Sequence, residues 1–311
     1  MNLSLSGPFN LLAIVGPTAS GKTALAVALA RLLGGEIISA DSRQVYRGMD
    51  IGTGKDISEY GEGSARVPVH LIDIADAGYH YNVFEYQRDF LQVWNDLSLN
   101  NRFPVLCGGS GLYIEAVLNN YLLIQVPPDP ELRQELSGKS LEELTAILKN
   151  YRPELHNQTD TENERRAIRA IEIARYYAHN NPSEEPSPEI RPLVVGIMVD
   201  REVRRDRITR RLQLRIEEGL VEEVNTLLEN GLTPSDLIYY GLEYKYVTRF
   251  IAGDLSFDAM VSELTIAIHQ FAKRQMTWFR RMERNGTKIH WLDESLPTDD
   301  KIQWVMKWLN R

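Results

Sequence analysis

One cysteine, Cys107, stands in a chain of 311 residues. A single thiol excludes an internal disulfide and fits a reducing compartment. No Cys/His spacing suggests a zinc site. His70, His269 and His290 therefore read as packing or surface residues, since a lone histidine serves many ends. No apolar run approaches the ~18 residues of a membrane span. Residues 1–10 have neither a basic stretch nor a signal-peptide pattern, so the expectation is a cytoplasmic protein with no membrane contact. Internal repeats and low-complexity tracts are absent as well. Net positive charge is also missing: the formal charge is −8, which taken alone counts against nucleic acid.

Local clustering matters more than the total. Arg201 to Arg215 holds seven arginines, Lys273 to Arg284 holds five basic residues, and Arg165, Arg166 and Arg169 form a third group. Each cluster reads either as a solvated helix face or as a surface for phosphates. With 43% hydrophobic residues the chain can bury a core, as one large domain or two unequal ones.

The stretch that organises the rest is Leu11 to Thr23. Leu11–Val15 is a short apolar run, read as a buried strand. Gly16-Pro17-Thr18-Ala19-Ser20-Gly21-Lys22-Thr23 matches G-x-x-x-x-G-K-[ST], and Ala24 to Leu33 reads as a helix. In that context the glycines let backbone N–H groups turn toward one anion, and the helix N-terminus adds a favourable dipole. Lys22 supplies a point charge for terminal phosphates and Thr23 a hydroxyl for Mg²⁺. The ligand carries a di- or triphosphate.

Residues 35–40 read as a second strand that ends at Asp41. Ligands of parallel α/β sheets sit outside the carboxyl ends of the strands. Position alone leaves Asp41 as a Mg²⁺ ligand, a general base or a helix N-cap. Residues 70–73 are a short strand candidate, 82–97 a helix, and 103–107 a clear strand running into Gly108-Gly109-Ser110-Gly111. After Asn120 the composition changes: Pro127, Pro128 and Pro130 lead into a charged helical stretch from 131 to 178, and 180–192 reads as a linker. Residues 193–199 are strand-like, 201–278 mostly helical, 288–292 a last strand, and 299–311 a short helix. The expected fold class is α/β, a P-loop NTPase-like core with a central parallel sheet and an all-helical insertion. The parts are 1–120 as the first piece of the core, 121–190 as the insertion and 191–311 as the completion of the core.

Several phrases together resemble one family, the tRNA dimethylallyltransferases or tRNA isopentenyltransferases. They are Gly16 to Thr23, Asp41-Ser42 with Tyr46 to Thr53, His70 to Asp73, Gly108 to Tyr113, Arg169 to Glu172, Gly219-Leu220 with Glu223-Val224, and Ala272 to Phe279. The phrases from Tyr46 to Thr53 and from Lys273 to Phe279 are the specific ones. Four departures stand out. Ser110 replaces a usual Thr and keeps the hydroxyl. Arg165-Arg166 stands for Gln-Arg, Gly241-Leu242-Glu243-Tyr244 for Gly-Tyr-Lys/Arg-Glu/Gln, and Ile268-His269-Gln270 for Thr-Arg-Gln.

The resemblance implies that the loop Gly16 to Thr23 holds the diphosphate of dimethylallyl diphosphate, with Mg²⁺ on Thr23 as cofactor. The allyl group would pass to the exocyclic amine of the adenine 3′ of the anticodon, in tRNAs reading codons that begin with U. Asp41 would take the amine proton and Ser110 would aim the amine. Lys22, Arg207 and Arg211 would meet the departing diphosphate; the two arginines are i,i+4 and share a helix face. Ser42, Arg43 and Gln44 would flank the base. Arg133, Arg165, Arg166 and Arg169, on an insertion that grips the anticodon stem-loop, would meet phosphates or splayed bases. The protein is expected to act as a monomer. Two rival readings remain. One is a P-loop nucleotide or small-molecule kinase, with Asp41 activating a hydroxyl. The other is a non-catalytic RNA-binding protein, which the intact Lys22, Thr23 and Asp41 disfavour. Transfer of the same group to free AMP is a close sibling, which the insertion disfavours.

Overall fold

The structure is a computed structural model that describes residues 7–121, 123–151, 161–180 and 188–310. Parts of the expected insertion helices (152–160) and of the expected linker (181–187) lie outside these residues. The chain divides into two compact units, Met1–Tyr121 with Glu189–Arg311, and Leu122–Pro188.

In the larger unit, β1 (Leu11–Val15) and β4 (Pro104–Gly108) are buried at every position. Strands covered on both faces take such unbroken apolar runs. With β2 (Glu36–Ala40), β3 (Val69–His70), β5 (Pro192–Met198) and β6 (Ile289–Asp293) they form one sheet in the order β3-β2-β4-β1-β5-β6. Every pairing is parallel. Side chains alternate across it. Leu11, Ala13, Val15, Ile38 and Leu106 pack into one apolar layer, and Leu12, Ile14, Ile37, Val105 and Cys107 into the other.

Helices α1 (Lys22–Leu33), α2 (Val83–Leu99) and α3 (Gly111–Leu118) follow β1, β3 and β4. Asn82 starts α2 with a capping box: its side chain accepts from the Glu85 amide while Glu85 reaches back to the Asn82 amide. The third strand is shorter than the sequence suggests. Leu71 and Asp73 take φ of 62° and 54°, which turns the chain out of the sheet after His70. Asp73 then meets the buried ammonium of Lys55, which also bonds Asp50 and the Tyr46 carbonyl. That three-way tie fixes the loop after β2.

The smaller unit holds α4 (Pro130–Leu136), α5 (Leu141–Tyr151) and α6 (Glu164–Asn180), with an apolar cluster of its own that includes Leu132, Leu144, Leu148, Ala167 and Ile171. Beyond β5 the larger unit continues with α7 (Arg201–Glu217), α8 (Leu220–Glu229), α9 (Pro234–Tyr239), α10 (Leu242–Ile251), the long α11 (Phe257–Arg284) and, after β6, α12 (Thr298–Leu309). α11 buries Met260, Leu264, Ile268, Ala272, Gln275, Met276 and Phe279 along one stripe, the 3.6-residue period of a helix laid against a core. Among the described residues no helix is long and apolar enough to cross a membrane.

Candidate active site

Three loops leave the sheet at one edge. Val15 and Ala40 both align with Gly108, so the chain emerges side by side at Gly16, Asp41 and Gly109. In the first loop Ala19 and Gly21 take φ of 61° and 77°, which bends Gly16–Gly21 back on itself before α1 begins at Lys22. Lys22 Nζ approaches the Pro17 carbonyl at 3.4 Å. Burial lowers the Lys22 ammonium from its ordinary range; Cys107 and Asp41 oppose that shift and Arg211 adds to it. The Cys107 thiol is pushed up to about 11, mainly by burial, and stays neutral.

Around the other two loops a hydroxyl network forms. Ser110 Oγ accepts the Ser42 amide at 2.9 Å and lies 3.2 Å from Ser42 Oγ, while the Ser110 amide bonds the Ala40 carbonyl. Asp41 Oδ1 accepts the Arg43 amide at 2.9 Å. Its other oxygen has no hydrogen bond among the described residues. Gln44 Nε2 donates to the Gly54 carbonyl at 3.0 Å, and Arg43 sits 5.4 Å from the centre of the Tyr239 ring. The loop Asp50–Gly52 is pinned from outside: the Glu223 carboxylate accepts the amides of Asp50, Ile51 and Gly52 and the Tyr244 hydroxyl.

Gln275 joins two of the loops. Its Oε1 accepts the Thr18 amide at 2.9 Å, and its Nε2 donates to the Gly109 carbonyl at 3.0 Å. Gly109 is the residue this allows, because a Cβ there would stand 2.5 Å from Gln275 Nε2. The sequence phrase around Gln275 was legible, but its role as a bridge was not.

The arginines of α7 separate. Arg207 pairs with Glu294 beyond β6. Arg211 pairs with Asp56 and approaches the Gly54 carbonyl. Arg215, to which sequence reasoning gave no role, pairs with Glu243 at the start of α10. A small cleft is lined by Thr18 and Ala19 of the first loop, Arg211 and Arg215 of α7, and Glu243. Arg207 does not line it. Burial lowers the Arg215 guanidinium and raises the Glu243 carboxyl, while each partner works against the other's shift. The signal for Arg215 was in the sequence: it continues the i,i+4 row of Arg207 and Arg211.

In the smaller unit the expected RNA-facing arginines are unequal. Arg133 grips Glu172 with two bonds, at 2.6 and 3.0 Å. Arg169 bonds the same carboxylate at 2.9 Å and the Val126 carbonyl at 2.8 Å. The Glu172 side chain is 1% exposed. Burial acts to raise its pKa, and the bonds from Arg133, the Asp129 amide and Arg169 outweigh this and leave it lowered. Arg166 pairs with Glu162, and Arg165 is exposed on α6.

A parallel sheet whose inner strand β1 runs through a glycine loop into a helix with Lys22 and Thr23 at its start defines an α/β protein with a P-loop NTPase-like fold. Comparison with known proteins narrows the class. The model of the IPP transferase family matches residues 44–282. The chain is 57% identical over 302 residues to tRNA dimethylallyltransferase 1 of Parabacteroides distasonis, covering 97% of this chain and 98% of that protein. It is 58% identical over 297 residues to tRNA dimethylallyltransferase 2 of Bacteroides fragilis, covering 96% and 97%. Among solved structures, the full-length tRNA isopentenylpyrophosphate transferase of Bacillus halodurans matches with a TM-score of 0.71 and 34% identity, over 97% of this chain and 95% of that one. A eukaryotic dimethylallyltransferase acting on tRNA shares the fold, with a TM-score of 0.71, 19% identity and coverage of 92% and 74%. The chain belongs to the IPP transferase family.

Proposed function

We propose that the chain is a tRNA dimethylallyltransferase: it moves the dimethylallyl group from dimethylallyl diphosphate to the exocyclic N6 amine of the adenine 3′ of the anticodon and releases diphosphate. The observation that carries the reading is the shared sheet edge. It sets a phosphate-binding loop beside a carboxylate, Asp41, and a hydroxyl, Ser110, within a chain of this family.

The chemistry accounts for each group. Adenine's amine is a weak nucleophile, because its lone pair is delocalised into the ring. A good leaving group is therefore needed, and the amine must shed a proton as it attacks. The C–N bond forms as the allylic C–O bond breaks; the electron pair of that C–O bond leaves with the diphosphate, and the amine proton passes to Asp41. The Asp41 oxygen not used by the Arg43 amide is available for it. Amine acidity rises as the new bond forms, so a carboxylate suffices late in the step. A positioned base of this kind is worth roughly 10²–10⁴-fold. Ser110 aims the amine. The amides of Ala19, Ser20 and Gly21, with Lys22 and Arg211, receive the charge that builds on the leaving diphosphate.

Among the described residues no group of three His, Cys, Asp or Glu side chains could cage a metal ion. Thr23 offers one hydroxyl. That donor set fits Mg²⁺, which keeps several waters and is commonly held by substrate phosphates with few protein ligands. When bound, the ion would neutralise charge on the diphosphate.

A stacked adenine cannot reach this edge, so the nucleotide must be extruded into the site. The allylic fragment carries partial cation character and must be kept from water. The test is nucleoside mass spectrometry of tRNA incubated with the protein, dimethylallyl diphosphate and Mg²⁺. The reading requires the appearance of N6-dimethylallyl adenosine without ATP. Product that forms only with stoichiometric ATP consumption would refute the diphosphate donor.

A further inference from the structure

α7 places Arg207, Arg211 and Arg215 four residues apart on one face. Only the last two border the cleft against Thr18 and Ala19. Arg215 is the more deeply set: its side chain is 13% exposed, against 35% for Arg211. Its ion-pair partner among the described residues is Glu243, whose side chain is 18% exposed. The two stand 3.5 Å apart, an ion pair without a close hydrogen bond. A guanidinium has five N–H donors to satisfy.

The surroundings fix the fork without satisfying it. A Cβ on Gly54 would stand 1.6 Å from Arg215 Nη2 and 2.8 Å from Arg211 Nη2, so both guanidiniums lie against the bare backbone of one glycine. The two guanidiniums repel each other; Asp56 holds Arg211 closely, while Glu243 meets Arg215 only loosely and offsets part of its charge. An anion placed between the two guanidiniums would relieve their repulsion. Planar forks suit phosphate oxygens, which accept two parallel N–H bonds.

We propose that Arg215 is a second guanidinium for the diphosphate of the donor, acting beside Arg211, and that Glu243 is a positioning residue that holds Arg215 against the phosphate loop. The proposal rests on the transferase reading above. In the donor-free protein Glu243 neutralises Arg215. A diphosphate in the cleft supplies the acceptor oxygens that Glu243 leaves unmet, and the same contacts hold the released pyrophosphate.

The test uses the full chain, with inorganic pyrophosphate titrated by calorimetry and the KM for dimethylallyl diphosphate measured with tRNA in excess. Arg215→Met should raise both the pyrophosphate Kd and the donor KM about 10- to 100-fold, the loss of one charge-assisted contact. The tRNA Kd should move less than about twofold, since cleft and RNA contacts are separate groups. Arg215→Met also strands a buried carboxylate and lowers Tm. The double variant Arg215→Met with Glu243→Leu removes the whole pair and should recover Tm, because apolar replacements of buried ion pairs are well tolerated. It should not recover donor affinity. Recovery of both would make Arg215 a packing partner of Glu243 and nothing more, and so would an unchanged pyrophosphate Kd in either variant. If the wild-type chain binds pyrophosphate but transfers nothing to tRNA, the transferase reading fails instead, while the titration still reads Arg215.

Discussion

Gln275 accepts a hydrogen bond from the Thr18 amide at 2.9 Å, across 257 positions of sequence. Its amide nitrogen donates at the same time to the Gly109 carbonyl, so one side chain on α11 sets the spacing of two loops at the sheet edge. The phosphate loop is thus shaped by a residue far from the motif that names it.

Replacing Gln275 with Ala leaves the Thr18 amide and the Gly109 carbonyl without their partner. Such losses cost about 1–3 kcal/mol each where the groups stay buried. The expected outcome is a lower denaturation midpoint together with a slower single-turnover rate. A variant as active as wild type with an unchanged urea midpoint would show the bridge to be incidental.

Asp41→Asn keeps the shape of the side chain and removes its basicity. The single-turnover rate should fall roughly 10²–10⁴-fold, with donor and tRNA binding within a few-fold of wild type. Full rescue by raised Mg²⁺ would mean that Asp41 serves as a metal ligand, and the proton acceptor would have to be sought elsewhere.

Lys22 gives a pH prediction whose sign follows from its surroundings. Burial lowers its pKa in the donor-free protein. A diphosphate beside it favours the charged form and raises the pKa again. Between the two values donor binding takes up a proton, so donor affinity declines as pH rises through the lower one, which lies below 10.5. Calorimetry in buffers of different ionisation heat should report proton uptake that grows toward alkaline pH. Lys22→Arg should abolish it, because arginine does not titrate there. Uptake that persists in that variant would assign the proton to another group.

The arginines of the insertion divide into two kinds. Arg165→Ala should weaken tRNA binding and reduce the slope of log K against log salt by about one unit. Arg133→Ala and Arg169→Ala should act first on stability, because each takes a partner from the buried Glu172. Hydrogen exchange in α4 and α6 should quicken in those two variants and stay unchanged in Arg165→Ala. The same carboxylate makes the unit acid-sensitive. Its folded pKa lies below the unfolded value of about 4.3, so its contribution is full above that value and is lost as pH falls through the folded one. Exchange in Arg165→Ala matching that of Arg133→Ala would remove the distinction.

What the sequence made legible is what short-range pattern controls. β1, β4 and β5 are apolar at nearly every position, so each reads as a strand buried on both faces. The glycine loop between β1 and α1 and the place of Asp41 after β2 follow from motif spacing and from the rule that ligands sit at carboxyl edges. β3 was read too long, because local pattern does not show that Leu71 and Asp73 turn the chain toward Lys55. Pairings between distant residues were hidden for the same reason. Arg211 and Arg215 look alike on a helical wheel, and only the folded chain brings Asp56 to one and Glu243 to the other. Arg133 and Arg169 read as RNA contacts from the sequence, and only the folded chain shows that they share the buried Glu172.

The sheet order has a consequence for synthesis on the ribosome. β1 lies between β4 and β5, yet β5 is made about 180 residues after it. At translation speeds of about 5–20 residues per second, the nascent chain shows one bare flank of its most apolar strand for roughly 10–40 s. Exposed edges of that kind recruit other strands. Holding chaperones should therefore engage this polypeptide early and release it once residues near 198 have emerged. Since Gln275 comes later still, the phosphate loop gains its bridge only after residue 275 has emerged, and chains stopped short of it should capture no donor.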